Sequence, residues 1–507
     1  MNKTIYDIIV VGAGNGGLAA AVTASNEGKK VLVIDRNLVP GGCATSFRRG
    51  RFEFEPSLHE YAAVGTEKNP GGILKWYKSM GVNVNWVIPK DAYRAITLGG
   101  DDVYDVTMPV GIDEFTDALD RACPGSRKPM EKLWKINKNI RDAGRYFNTG
   151  KQNPLVVFFK YRDFMRASAH SIKEVLDDIG MPRKAQSIVS AYWPYLGNSI
   201  EEMDCMLYMS MFDSYINECP AIPLYRSHEI SCAVEKAIID KGGEIWYNTE
   251  VTSLIYENGR VNGVRIGDRE IRSKFVICNA FPENVYAKML PPEAVPERAW
   301  KLVNARKYGI KFLNIYIGLN KTAEEIGFHD YTIVINEDSD PVKQCQAMQD
   351  IRHGPLFINC LNCAIPEASP KGTSMLYITG FWRADAETGM TLENYDQWKN
   401  SIADSLIKKC EDVLHVDIRN NIEEIEVCSP ATFARYMGTP HGTPYGYELK
   451  VWDSPTARSV SIGDEYFVPG LSFVGAHQEI GDGYSSTYTQ GRNAALRIVK
   501  ELNHGQN

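Results

Sequence analysis

The chain is expected to be an α/β protein, a Rossmann-type dinucleotide-binding domain interleaved with a mixed-sheet substrate domain and a helical cap. Three observations lead there. An apolar strand, Tyr6 to Val11, runs into Gly12, Gly14 and Gly17 at G-x-G-x-x-G spacing. An Ala-rich helical stretch, Leu18 to Asn26, and a second apolar strand ending in Asp35 follow in register. Beyond residue 300, strand patterns alternate with a long helix, after a helical, aromatic-rich block at 111–218. The expected division is 1–110, 219–290 and 460–507 for the dinucleotide domain, 291–459 for the substrate domain and 111–218 for the cap.

Each part of the opening motif has a physical task. Gly12 turns tightly, Gly14 lets a pyrophosphate approach the backbone, and Gly17 lets helix pack on strand. The helix N-terminus, with unpaired N–H groups and the positive end of its dipole, favours an anion. Asp35 lies 18 residues past Gly17, near the offset of an acid that accepts hydrogen bonds from the adenosine ribose.

Bulk properties narrow the classes. A chain of 507 residues is too long for one core and suggests two or three domains. With 44% hydrophobic and 23% charged residues, neither disorder nor a fibrous class is indicated. Lys plus Arg (56) against Asp plus Glu (63) gives a net charge of −7, which argues against nucleic acid as a partner. Met1-Asn2-Lys3-Thr4 runs straight into the first strand, and 11 cysteines are scattered, so reduced thiols in a cytoplasmic chain are expected. Apolar runs are too short to span a membrane.

Along the chain, helices are expected at Asp113 to Ala122, Met130 to Phe147, Pro154 to Arg166, Ser171 to Ile179 and Ile200 to Tyr215. Pro154 to Arg166 mixes aromatics with cations. It is read as a cap helix packed on the substrate cavity, with peripheral membrane contact as the alternative. A helix from Ile230 and a strand meander ending at Ala280 follow, then strands at Lys311 to Ile317, Leu356 to Leu361 and Ser374 to Phe381 and a helix at Asn394 to Leu414. Cys360-Leu361-Asn362-Cys363 is formally C-x-x-C, but with no helix expected after it and no second pair it is read as neither redox nor zinc site. No metal site is expected.

After Asp35 come Arg36, Pro40-Gly41-Gly42-Cys43 and Ser46-Phe47-Arg48-Arg49-Gly50-Arg51-Phe52-Glu53-Phe54-Glu55. Near the other end stand Gly470 to Ala476, Gly481-Asp482-Gly483 and Gln490 to Ala495. On these segments the chain resembles the phytoene desaturase, carotenoid isomerase and retinol saturase family of FAD-dependent oxidoreductases, over nearly its whole length. The resemblance implies FAD as cofactor, held by Arg36, Gly42, Cys43, Arg49, Val251, Ala280, Gly475, Asp482 and Gly483 beside Gly12, Gly14, Gly17 and Asp35. Ser485 begins a hydroxyl-capped helix whose dipole would favour reduced flavin.

The family carries out desaturation, saturation and cis-trans isomerisation of carbon-carbon double bonds. Gly42-Cys43, Phe52-Glu53-Phe54 and His59-Glu60-Tyr61 look most like retinol saturase-type members, which leans the expectation to a saturase or isomerase on an apolar polyene or unsaturated lipid-like substrate. The chain carries no second G-x-G-x-x-G, so either an external electron donor or acceptor is expected or the flavin cycles without net turnover. The alternatives are a phytoene-type desaturase and a non-catalytic lipid-binding escort, because Rab GDP-dissociation inhibitors share the fold group.

Two departures from the family pattern stand out. Glu55 replaces the usual Asp, with Pro56-Ser57 for Thr-Gly, and Pro223 to Glu229 lacks the P-x-G-G glycines. Arg226 or His228 is therefore a candidate for a substrate carboxylate or polar head. Candidate proton donors are Tyr445, His441, Glu55 and His59; Tyr445 and His441 sit in a glycine- and proline-rich turning loop.

Overall fold

The computed structural model describes residues 5–504 apart from 57, 150–152, 384, 387, 462 and 464. The readings made on Met1 to Thr4 and on Ser57 lie outside the described residues.

The strand Ile5–Val11 pairs in parallel with Val31–Ile34 on one side and with the end of Arg269–Cys278 on the other. Glu244–Trp246 extends the sheet beyond Val31–Ile34, while Leu471–Phe473 joins Arg269–Cys278 in parallel. The antiparallel strands Ser253–Glu257 and Arg260–Ile266 complete the seven. Parallel strands are covered on both faces, which is why Ile8, Ile9 and Val10 are all fully buried and read as an unbroken apolar run. The helix Asn15–Asn26 is buried from Gly16 to Ser25, between the sheet and the helices Arg226–Asp240 and Tyr484–His504. Its alanines and glycines set that close approach: a Cβ on Gly491 would stand 2.1 Å from the Gly16 carbonyl oxygen. Burying Leu18 and Val22 there contributes about 1.5–3 kcal/mol each.

The second sheet runs in the order Ile422–Cys428, Lys311–Leu319, Ser374–Trp382, Leu356–Cys360, Thr332–Asn336, Asp91–Thr97, Tyr104–Pro109. It is antiparallel except where Thr332–Asn336 meets Asp91–Thr97 in parallel. Residues 91–109 were grouped with the dinucleotide domain from their place in the chain. They extend the second sheet instead: Asp91–Thr97 pairs in parallel with Thr332–Asn336, and its apolar side chains join the cores of the cap and of the second sheet.

The cap holds Ile112–Ala122, Arg127–Asn148, Pro154–Lys160, Arg162–Ala167, Ile172–Asp178, Arg183–Val189 and Cys205–Ile216. The stretch expected as one helix from Pro154 to Arg166 breaks at Tyr161, whose ring is buried against that of Tyr146. Neither short helix packs on the cavity: Pro154–Lys160 has no buried residue. The C-x-x-C pair is also placed differently from the sequence reading, since the one-turn helix Leu361–Ala364 follows the strand directly. Among the described residues no helix is long and apolar enough to cross a membrane, and no cluster of metal-ligating groups occurs.

Candidate functional site

At the C-terminal end of Ile5–Val11 the chain turns through Gly12, whose φ of +100° suits glycine, into the helix N-terminus at Gly14. A Cβ on Gly17 would lie 2.0 Å from the Gly12 carbonyl oxygen, so that position admits only glycine. Asp35 closes the second strand: its Oδ2 accepts from Ala13 N–H at 2.6 Å and its Oδ1 from Asn37 N–H at 2.7 Å. Those bonds fix the carboxylate in the cleft and leave further lone pairs for ribose hydroxyls. Gly41 N–H donates to Ala13 O, which lays Gly42 against Gly14 with 3.2 Å between a hypothetical Cβ and the Gly14 Cα. From the far end of the chain, Gly475 seals the same turn: a Cβ on Gly16 would come 3.0 Å from its backbone nitrogen. Asn15 Oδ1, in this cleft, is buried with no hydrogen-bond partner among the described residues.

The cleft is one end of a continuous cavity of about 960 Å³. Gly12, Gly14, Asp35, Arg36, Gly42, Cys43, Val251, Ala280, Gly475, Asp482, Gly483 and Ser485 all line it. Gly17 does not, being packed on Gly12. Arg36 donates to the Tyr436 carbonyl at 2.9 Å, joining the cleft to the helix Pro430–Met437. Arg49 stands away from the cavity, exposed and paired with Glu426 at 2.9 Å, because it sits on a surface hairpin with Phe52–Phe54.

The other end is an aromatic chamber lined by Phe312, Phe381, Phe433, Tyr445, Tyr215 and Tyr195. Pro56, Leu58 and His59 are hung across the second sheet, their carbonyls accepting from the Tyr316, Tyr377 and Tyr331 hydroxyls respectively. This suspension turns His59 and Glu60 into the chamber. The His59 Nδ1 is 2.9 Å from the Tyr195 hydroxyl, which donates to Glu60 Oε2 at 3.3 Å, and Glu60 Oε1 accepts from Thr332 Oγ1. Burial drives the His59 imidazole down to about 3, so it is neutral, and pushes the Glu60 carboxyl up to about 7. Asp482, which also lines the cavity, is likewise raised to about 7 by burial. Burial also holds the Tyr445 phenol well above its ordinary range.

Of the proposed proton donors, His59 and Tyr445 reach the chamber. Glu55 does not: it is a buried clamp, accepting from Ser227 N–H at 2.7 Å, Ser227 Oγ at 2.6 Å and Leu58 N–H at 3.1 Å. His441 lies in a separate cleft of about 600 Å³ with Lys307, Arg383, Glu448 and Lys450, its ring 4.8 Å from that of Tyr308. Gly197, Ile310 and Tyr445 pack together between that cleft and the chamber. Arg226 does not face substrate either. Its buried guanidinium donates to Glu53 O at 2.6 Å and to Ala368 O, pinning the hairpin to the second sheet's loop. His228 contacts Cys232 at 3.2 Å on its own helix and does not line the cavity.

Glu60, Tyr195 and His477 are the chamber and cleft residues that sequence reasoning did not single out. For Glu60 a signal exists: an acid between His59 and Tyr61 in a segment whose neighbours Leu58 and Tyr61 are buried. Tyr195 comes from the cap, and nothing local marks it. His477 lines the cavity fully buried, with Nε2 unpartnered among the described residues.

Residues 10–69 match the family described as an NAD(P)-binding Rossmann-like domain. The chain is 25% identical to the chloroplastic prolycopene isomerase of Daucus carota over 471 residues, 87% of this chain and 73% of that protein. It is 25% identical to the all-trans-retinol 13,14-reductase of Rattus norvegicus over 506 residues, 92% of this chain and 82% of that one. Among solved structures, an oxidoreductase from Methanosarcina mazei shares the fold with a TM-score of 0.64 at 17% identity, covering 97% of this chain and 100% of that one. With the glycine turn, the terminal acid and the C-terminal seal all in place, the chain fits the carotenoid isomerase and retinol saturase family of enzymes to which these relatives point.

Proposed function

We propose that the protein is an FAD-dependent oxidoreductase or isomerase that acts on carbon-carbon double bonds of an apolar polyene or unsaturated lipid-like substrate, as a saturase or an isomerase. The observation that carries this is the continuity of the cavity: a dinucleotide cleft opens directly into an aromatic chamber that ends at a buried, hydrogen-bonded carboxyl. The relatives named above act, by their names, on prolycopene and retinol, which are polyenes.

The residues fit FAD. Gly12, Gly14 and Gly42 leave a cradle at the N-terminus of Asn15–Asn26, Asp35 stands ready for ribose hydroxyls, and Asn15 Oδ1 is a buried acceptor without a donor among the described residues. Bound FAD supplies two-electron transfer. The chain does the rest. Phe312, Phe381, Phe433 and Tyr445 exclude water and hold an apolar chain by contact. Glu60, half protonated near neutral pH, holds a proton at its carboxyl within the chamber, and the Tyr195 hydroxyl joins it to His59. Neutral His59 serves as a hydrogen-bond partner and not as a cationic acid. In this reading the first sheet carries the nucleotide, the second sheet floors the chamber, and the helices within 111–218 cap it; electrons come from or go to an external partner.

Purified protein reconstituted with FAD tests the reading. It takes up one flavin with a perturbed visible spectrum, and the anaerobically reduced form is reoxidised or turns over on addition of a polyene. A protein that excludes FAD while binding prenylated peptide would be an escort instead, and turnover from the oxidised form alone would make it a desaturase.

A further inference from the structure

We propose that Tyr484, Tyr61 and Trp86 form a path for single electrons from a reductant in solution to the cavity, serving a strongly oxidising state of a bound flavin, above all its light-excited state. The proposal rests on the reading that the cavity holds FAD. Tyr484, the first residue of the helix Tyr484–His504, lines the cavity. Its ring stands edge-on to that of Tyr61 with 5.5 Å between centroids, and Tyr61 stands edge-on to Trp86 at the same 5.5 Å. Tyr61 is fully buried, whereas Trp86, on the short strand Trp86–Val87, is partly open to solvent. Three readily oxidised side chains therefore run in ring contact from the cavity to the outside. The tyrosines of the chamber lead elsewhere: Tyr195 stacks on Tyr192 at 5.1 Å and Tyr192 meets Tyr93 at 4.7 Å, and both Tyr192 and Tyr93 are buried.

Removing an electron from a phenol inside the protein leaves a charge that apolar surroundings do not tolerate, so the phenol has to shed its proton. Tyr484 has an outlet for it. Ser227 Oγ gives its one hydrogen to Glu55 Oε1 at 2.6 Å, so the Tyr484 hydroxyl, also 2.6 Å from Ser227 Oγ, is the donor in that second bond. Ser227 and Glu55 are both buried and neither lines the cavity, which places Tyr484 between the cavity and an internal carboxyl. When Tyr484 yields an electron, its proton moves to Ser227 and the Ser227 proton to Glu55. Tyr61 and then Trp86 refill Tyr484, and the protons return along the same bonds. The vacancy on Trp86 takes one electron from ascorbate in solution, which is oxidised. Each passage moves one electron from ascorbate to the flavin and leaves the chain unchanged; two passages complete the reduction, with protons drawn from solvent. Tyr77, which shares a hydrogen bond with the Tyr61 hydroxyl at 2.9 Å, leads on to Trp76 at 5.3 Å, a side branch that ends in the core.

Flash spectroscopy of the full, flavin-loaded chain tests the proposal. After a blue flash in the absence of oxygen and ascorbate, the unsubstituted chain is expected to show the transient absorbance of a tryptophan radical. Trp86→Phe and Tyr61→Phe abolish that signal while flavin uptake is retained, and Trp76→Phe keeps it. Under steady blue light with ascorbate, the unsubstituted chain loses its oxidised-flavin absorbance faster than Tyr61→Phe does. A flavin-loaded chain that gives no tryptophan radical overturns the path and leaves the FAD reading standing. Survival of the radical in Trp86→Phe or in Tyr61→Phe, or equal bleaching of the unsubstituted and Tyr61→Phe chains, does the same. A chain that takes up no flavin overturns both the path and the FAD reading.

Discussion

The two ends of the cavity are built on opposite principles. The nucleotide cleft is made largely of backbone: Gly12, Gly14, Gly16 and Gly42 are there for what they lack, and a Cβ on any of them would meet the Gly475 amide, the Gly14 Cα or the Asn279 side chain. The chamber is made of side chains delivered from far apart, with Glu60, Tyr195 and Thr332 meeting across 135 and 272 residues of chain. A site that recognises by backbone approach tolerates no added atom. A site that recognises by side chains can lose one function and keep its fold.

That contrast predicts the largest effect at Gly17. Gly17→Val would drive Cβ into the Gly12 carbonyl, so a loss of more than ~3 kcal/mol and of flavin retention is expected, read by melting temperature and visible absorbance. A variant that melts normally and stays yellow would break the comparison. Glu60→Gln should instead keep the flavin and the melting temperature at low pH while lowering kcat by about a hundredfold or more, and its pH profile should lose the Glu60 ionisation near 7, leaving that of Asp482.

Stability should follow the same carboxyl. Glu60 titrates near 7 when folded and near 4.5 when unfolded, so between those values the folded state binds the extra proton. The stability it contributes is complete below pH 4.5 and is lost as pH rises through 7, on the order of 3 kcal/mol. Melting curves of Glu60→Gln across that window should be flatter than those of the unsubstituted chain; parallel curves would remove Glu60 as the cause. Smaller still is Arg226→Ala, which leaves the Glu53 and Ala368 carbonyls without their donor and should cost about 1–3 kcal/mol. It should leave the preference between acidic and neutral substrates untouched, and a change there would restore Arg226 to the substrate site.

How much of this was legible in the sequence follows from the same difference. The strand, glycine turn, helix and Asp35 lie within 35 residues and are fixed by local geometry, so both motif and fold could be read. The strands at Lys311–Leu319 and Ser374–Trp382 were legible from their apolar runs. Asp91–Thr97 was misplaced because its partner, Thr332–Asn336, lies more than two hundred residues on, and no local pattern records a parallel pairing. Arg226 looked like a carboxylate binder because a guanidinium suits one, but its φ of +67° marks a backbone bent to serve the protein's own carbonyls. For Pro154 to Arg166 the composition held both readings, and only the buried Tyr161, where the stretch breaks into two helices, shows which side faces in.

The measurement that bears most directly on the central claim is the mass and double-bond geometry of a long polyene after incubation with anaerobically reduced, flavin-loaded enzyme, run beside Glu60→Gln. The account predicts that the unsubstituted enzyme returns product either two hydrogens heavier or isomerised at unchanged mass, and that Glu60→Gln returns little of it with its flavin still bound. Unaltered polyene from the first enzyme, or full turnover by the second, would contradict it.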